Sequence, residues 1–249
     1  PVYADYLTDN YYLIHPSMAG ASACSQVRVT ARSNWVGQEN APGLQTLSYN
    51  GRLNRSSAIG FNAFNDRNGF HSQRGVYATY AHHLMFSRDE VNLNMLSFGM
   101  SFGALQYSLD QSEFIVGADQ LAGDSSLNSI DANIDFGFSY HLRDFYSHFT
   151  VKNVINNDGI NNEGQITNNL RRYLISIGYV FEAKGGKYMI EPSALYQYRE
   201  GIRQSTVDVN LKAYYQLPKN TIFGGASYRR GLDNNVFQQN QTIFLEQLN

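Results

Sequence analysis

The chain has 249 residues, of which 16% are charged, and its formal net charge is −2. That balance excludes a basic nucleic-acid footprint, and the charged share is low beside the roughly 25% of an ordinary soluble domain. No apolar run approaches the roughly 18 residues a membrane helix needs, so helical spans are excluded. A mean hydropathy of −0.39 leaves a membrane sheet open, because alternating strands cancel in the average.

Residues 1–24 read as a segment before the first strand, and 1–249 as one domain without linker, repeat or low-complexity tract. The single cysteine, Cys24, excludes an intrachain disulfide and reads as a small, partly buried residue. About twelve strands follow, near 25–35, 44–52, 57–65, 74–84, 91–106, 128–142, 144–153, 171–182, 187–199, 204–217, 220–230 and 236–247.

Period-two alternation carries this reading. From Ile130 to Leu142, Ile130, Ala132, Ile134, Phe136, Phe138 and Tyr140 fall on one face, with Asp131, Asn133, Asp135, Gly137 and Ser139 on the other. Leu96, Phe98, Met100 and Phe102 alternate with Ser97, Gly99 and Ser101, and Val207, Val209 and Leu211 with Asp208 and Asn210. The apolar faces carry no Lys, Arg, Asp or Glu, as lipid requires. The runs match the roughly nine to eleven residues of a tilted membrane strand.

Connections after even-numbered strands are mostly tight (Leu53–Ser56, Arg143, Ala183–Gly186, Pro218–Lys219), with Met85–Glu90 longer. Those after odd-numbered strands are mostly longer, which places the long loops outside the cell and the N-terminus in the periplasm. Tyr80, Tyr107, Tyr140, Tyr188 and Tyr198 suit interfacial girdles or plain strand propensity. The fold expected is all-β: a transmembrane antiparallel up-and-down β-barrel, a multi-pass protein of the bacterial outer membrane.

Catalytic chemistry finds no foothold. His82 and His83 are adjacent, so on a strand they face opposite ways. His141 and His148 flank the Arg143 turn and can approach across strands, but no Cys or further close His joins them. Asp66-Arg67-Asn68-Gly69 opens like a calcium loop but lacks its later ligands. No Ser–His pair with an orienting group stands out. The expectation is a non-enzyme with no cofactor and no metal.

A family resemblance enters through ordered motifs. Asn10-Tyr11-Tyr12-Leu13-Ile14-His15-Pro16-Ser17-Met18-Ala19-Gly20 is followed by Arg32-Ser33-Asn34-Trp35-Val36-Gly37 and Ala41-Pro42-Gly43-Leu44-Gln45-Thr46. Ile59-Gly60-Phe61, Asn65-Asp66-Arg67-Asn68-Gly69 and Tyr77, Tyr80 and Ala81 come next, and looser matches run on to Phe223-Gly224-Gly225. In this order they resemble the PorP/SprF family of outer-membrane proteins of the type IX secretion system. His15-Pro16-Ser17 stands where that family usually has Asn-Pro-Ala, and Asn34-Trp35 where it has Gln-Trp. The family pattern continues past Asn249 by at least one hairpin, which implies about fourteen strands in the complete barrel.

The resemblance implies delivery of secreted proteins to the cell surface, or their anchoring there. The partners would be the C-terminal domain of a secreted surface protein such as a gliding adhesin, other type IX secretion components and outer-membrane lipid, without nucleic acid. Trp35, Gln38 and Pro42 form a plausible anchor on an outside loop, joined by Asp66 and Asn68 on the next turn. A plainer reading is that Arg32 and Trp35 order the first hairpin. The alternative function is a diffusion or uptake channel, suggested by the polar inward face, although large inward residues such as Tyr146, His148, Tyr214 and Arg32 lean towards a filled interior. The segment before the first strand has two places to dock, inside the barrel or on its periplasmic rim.

Overall fold

A computed structural model describes residues 10–22, 24–35, 37, 41–87, 93–109, 127–155, 170–183, 185–201, 203–218, 220–232 and 246–248. A short helix α1 (Tyr11–Ile14) and a 3-10 turn (Pro16–Met18) precede the strands. These are β1 (Gln26–Ser33), β2 (Gly43–Arg52), β3 (Ser57–Asn68), β4 (His71–Met85), β5 (Asn94–Leu109) and β6 (Leu127–Leu142). Then come β7 (Phe145–Lys152), β8 (Arg172–Tyr179), β9 (Phe181–Glu182), β10 (Tyr188–Arg199), β11 (Gln204–Gln216), β12 (Thr221–Gly231) and β13 (Glu246–Leu248). All belong to one antiparallel 13-stranded sheet in which chain neighbours pair, β10 taking both β8 and the two-residue β9.

The expected barrel is corrected here. β1 pairs with β2 and β13 with β12, and no pairing among the described residues joins the two ends, so the sheet is open. The multi-pass β-barrel placement falls with it. Alternation decides which face of a strand is apolar; it carries no term for whether two edge strands meet. The expected strand at 236–247 lies mostly outside the described residues, and the one at 171–182 is broken at Val180 into β8 and β9.

The two faces sort as the alternation requires. Phe98, Phe102, Phe136, Phe138, Ile175, Ile177, Val209 and Leu211 are exposed on the outer face. Ser97, Ser101, Asn133, Asp135, Ser139, His148, Thr150, Ser176 and Asn210 are buried on the inner, concave face. Pairing lines these residues into rows across the strands. One row runs His83, Ser97, Ser139, His148, Ser176 and Leu195. The next runs Ala58, Ala81, Gly99, Gly137, Thr150 and Leu174.

Turn chemistry holds the short connections. Asn54 Oδ1 accepts from the Ser56 and Ser57 backbone N–H groups at 2.9 and 2.7 Å, an Asx turn between β2 and β3. Arg143, at φ 52°, turns β6 into β7. Tyr80 and Tyr188 are exposed, whereas Tyr107 packs against the buried Phe64, Tyr77 and Leu105. Cys24 is exposed rather than partly buried.

Candidate functional site

The concave face is occupied by the chain's own N-terminal segment. The row Ala58, Ala81, Gly99, Gly137 presents almost no side chain, and that is where the Pro16–Met18 turn sits. A Cβ added to Gly99 would collide with the Pro16 carbonyl carbon and the Ser17 nitrogen, so the close approach of the two backbones requires glycine. Gly20, at φ 63°, then turns the chain away beneath Arg52, whose Nε and Nη2 donate to the Gly20 and Ala21 carbonyls at 2.7 and 3.1 Å. Asn50 Oδ1 accepts from the Gly20 N–H at 3.0 Å.

Polar contacts fix the segment from all sides. His15 Nδ1 lies 2.8 Å from Thr150 Oγ1 and its Nε2 lies 2.8 Å from Ser176 Oγ. The Ser17 and Ser139 hydroxyls share a hydrogen bond of 2.5 Å. Tyr12 donates to Thr79 Oγ1 at 2.9 Å, Asn10 to Ser48 Oγ at 2.9 Å, and Lys152 Nζ to the Leu13 carbonyl at 2.8 Å. His83 brings Nε2 to 3.0 Å from the Ala19 carbonyl and Nδ1 to 2.7 Å from Ser97 Oγ. Buried polar groups cost free energy unless they are paired, and the segment supplies partners to Ser48, Asn50, Thr79, His83, Ser139, Thr150 and Ser176 of this face.

Burial in that cradle holds the His15 imidazole well below its usual range, and the neighbouring His148 and Lys152 push the same way. His15 therefore sits neutral between two hydroxyls. Burial pushes the Tyr12 phenol up to about 12, against the opposing effect of its bond to Thr79. Beside His15, the rings of Tyr11, Tyr146, His148 and His141 form a cluster with centroid separations of 5.0 to 6.3 Å, stacked, tilted or edge-on. His141 and His148 do meet across the turn, at 5.2 Å. Among the described residues no group of three or more His, Cys, Asp or Glu could hold a metal.

The candidate anchor residues lie along one rim. Trp35 is 69% exposed with φ 52°, in the turn after β1. The Pro42 carbonyl accepts from the Asn34 N–H at 2.9 Å. Gly43 pairs with both Ser33 and Arg67, a register that carries Pro42 to the level of Asn68. Asp66 is half-buried on β3, and Asn68 is exposed at its end. Gln38 lies outside the described residues. Arg32, expected to help fill the interior, is exposed and donates to Asn34 Oδ1 at 3.1 Å. Tyr146 and Tyr214 do point inward, both donating to Glu191 at 2.5 and 2.6 Å.

Of the two docking places open to the segment, the interior is the one it takes. The signal was present in the coincidence of Asn10–Gly20 with unusually small inward residues at Ala58, Ala81, Gly99 and Gly137.

An apolar outer face, a polar inner face and an internal N-terminal segment define a membrane protein of the all-β class. The family model described as type IX secretion system membrane protein PorP/SprF matches residues 1–246, and the chain belongs to that family. It is therefore a non-enzymatic outer-membrane component of type IX secretion that handles secreted cargo. A comparison with curated proteins finds no match.

Proposed function

We infer that the rim carrying Trp35 receives the C-terminal domain of a secreted surface protein, such as a gliding adhesin, and helps deliver it to the cell surface or hold it there. Trp35 is the observation that carries this reading. A large aromatic, 69% exposed on a turn held by the Asn34–Pro42 bond, is the kind of residue that dominates binding energy at an interface. Pro42, Asp66 and Asn68 lie on the same rim and supply polar and rigid surface around it; Gln38 belongs to the same candidate set. The seated N-terminal segment speaks against the channel reading, because it fills the middle of the concave face.

The test is a binding titration of the detergent-purified protein with the C-terminal domain of a type IX cargo from the same organism. Micromolar or tighter binding that falls at least tenfold in Trp35→Ala supports the reading. Unchanged binding in that variant removes the rim from it, and a large steady conductance in planar bilayers would favour the channel.

A further inference from the structure

Three cations stand side by side on the concave wall. Lys152 pairs in register with Arg172, and Arg172 with Arg199, on β7, β8 and β10. Arg172 shares the inward parity of the buried Leu174 and Ser176, and Arg199 that of the buried Ser193 and Leu195. Directly opposed residues on neighbouring strands have Cβ atoms about 4.5–5.5 Å apart, and like charges in that relation repel.

None of the local carboxylates hydrogen-bonds Arg172 or Arg199 among the described residues. Asp135 accepts from the Asn153 N–H at 2.9 Å and faces Lys152 at 3.9 Å. Asp208 is taken by Arg229 through two bonds of 2.5 Å. Glu200 points the other way, to Arg171 and Tyr173 at 3.2 Å each. Arg199 reaches a neutral acceptor, Gln204 Oε1, at 3.3 Å. The Nε atoms of Arg172 and Arg199 are buried and have no hydrogen-bond partner.

Two opposed guanidinium groups with buried, unpartnered Nε donors are a costly arrangement for a fold to keep empty, and the one carboxylate that shares a cavity with Arg172 among the described residues, Asp135, already faces Lys152 and the Asn153 N–H. We propose that Arg172 and Arg199 form an oxyanion-binding site on the concave wall, shaped for a planar group such as a carboxylate. A guanidinium presents parallel N–H donors that match the two oxygens of such a group. Both residues lie at the ends of their strands, next to the Leu170–Arg171 and Glu200–Arg203 connections, so the site opens at the rim that carries the long connections. A polypeptide carboxylate and a free inorganic oxyanion share this chemistry. The site is independent of the Trp35 reading.

The full chain in detergent would be titrated calorimetrically with hexaglutamate, hexaglutamine and inorganic phosphate. Binding of hexaglutamate or phosphate, but not hexaglutamine, that weakens at least tenfold in both R172Q and R199Q is expected. R143Q, which removes a charge from the exposed turn at the opposite rim, should bind as the parent does. Preference for hexaglutamate identifies a polypeptide source and preference for phosphate a free oxyanion. Without ligand, R172Q and R199Q should melt at or above the parent, since each relieves a repulsion. Failure of both anions to bind, unchanged affinity in the two variants, or a melting point well below the parent would overturn the site in favour of a purely structural role.

Discussion

His15 Nδ1 sits 2.8 Å from Thr150 Oγ1, although 135 positions separate the two residues. With Ser176 on its other nitrogen, the imidazole ties the start of the chain to β7 and β8. His15→Ala would leave both hydroxyls buried without that partner. At about 1 kcal/mol for each lost hydrogen bond plus the cost of the cavity, the loss should be about 2–4 kcal/mol. Urea unfolding in detergent measures it, and His15→Asn should recover part.

The same residue has a pH signature. Its folded value lies well below that of the free imidazole, so between the two only the unfolded chain binds the proton. The stability it contributes is complete above the unfolded value of about 6.5 and declines as pH falls below it. Unfolding midpoints measured from pH 8 down to pH 5 should show a smaller acid loss in His15→Asn than in the parent.

Gly99 tests the seat itself. Gly99→Val places a branched side chain where Pro16 and Ser17 lie, so the segment must lift. A Ser17→Cys reporter, buried in the parent background, should then react with a maleimide at least tenfold faster. An unchanged rate would mean that the segment is not held by this row.

The two faces predict opposite outcomes for one substitution. Phe136 is on the apolar outer face and Asn210 on the concave face. With lipid against the outer face, Phe136→Lys should cost about 2–4 kcal/mol and reduce the folded fraction recovered from membranes. Asn210→Lys should be recovered near parental levels. Equal recovery would contradict the facing.

Much of this was legible beforehand, and the reason is specific. At Ile130–Leu142 every second residue is apolar, and a strand has only two faces, so the orientation of Phe136 and Asp135 followed at once. Closure was not legible, because no residue in β1 or β13 encodes the partner of a sheet edge. The His141–His148 approach could be raised from the Arg143 turn, while the joining of His15 to that cluster could not. His15 is distant in sequence, and its contacts depend on the floor of small residues built by four different strands. Trp35 could be singled out as a rare aromatic in a loop, but its exposure comes from the fold.

The seating of the N-terminal segment also constrains the order in which the molecule can be made. Residues 10–20 are translated before every strand they rest on, yet their contacts reach Ser176, 161 positions away. Their seat on β2 and β4 can form early, but it stays incomplete until β7, β8 and β10 have joined the sheet. Until then Tyr11, Ile14 and His15 stand without the β7, β8 and β10 side chains they meet in the finished fold. Contacts this distant in sequence slow folding, so the completed docking of this segment belongs among the last events of assembly, and a chain interrupted before β8 would leave His15 without Ser176 and the polar face short of its partner.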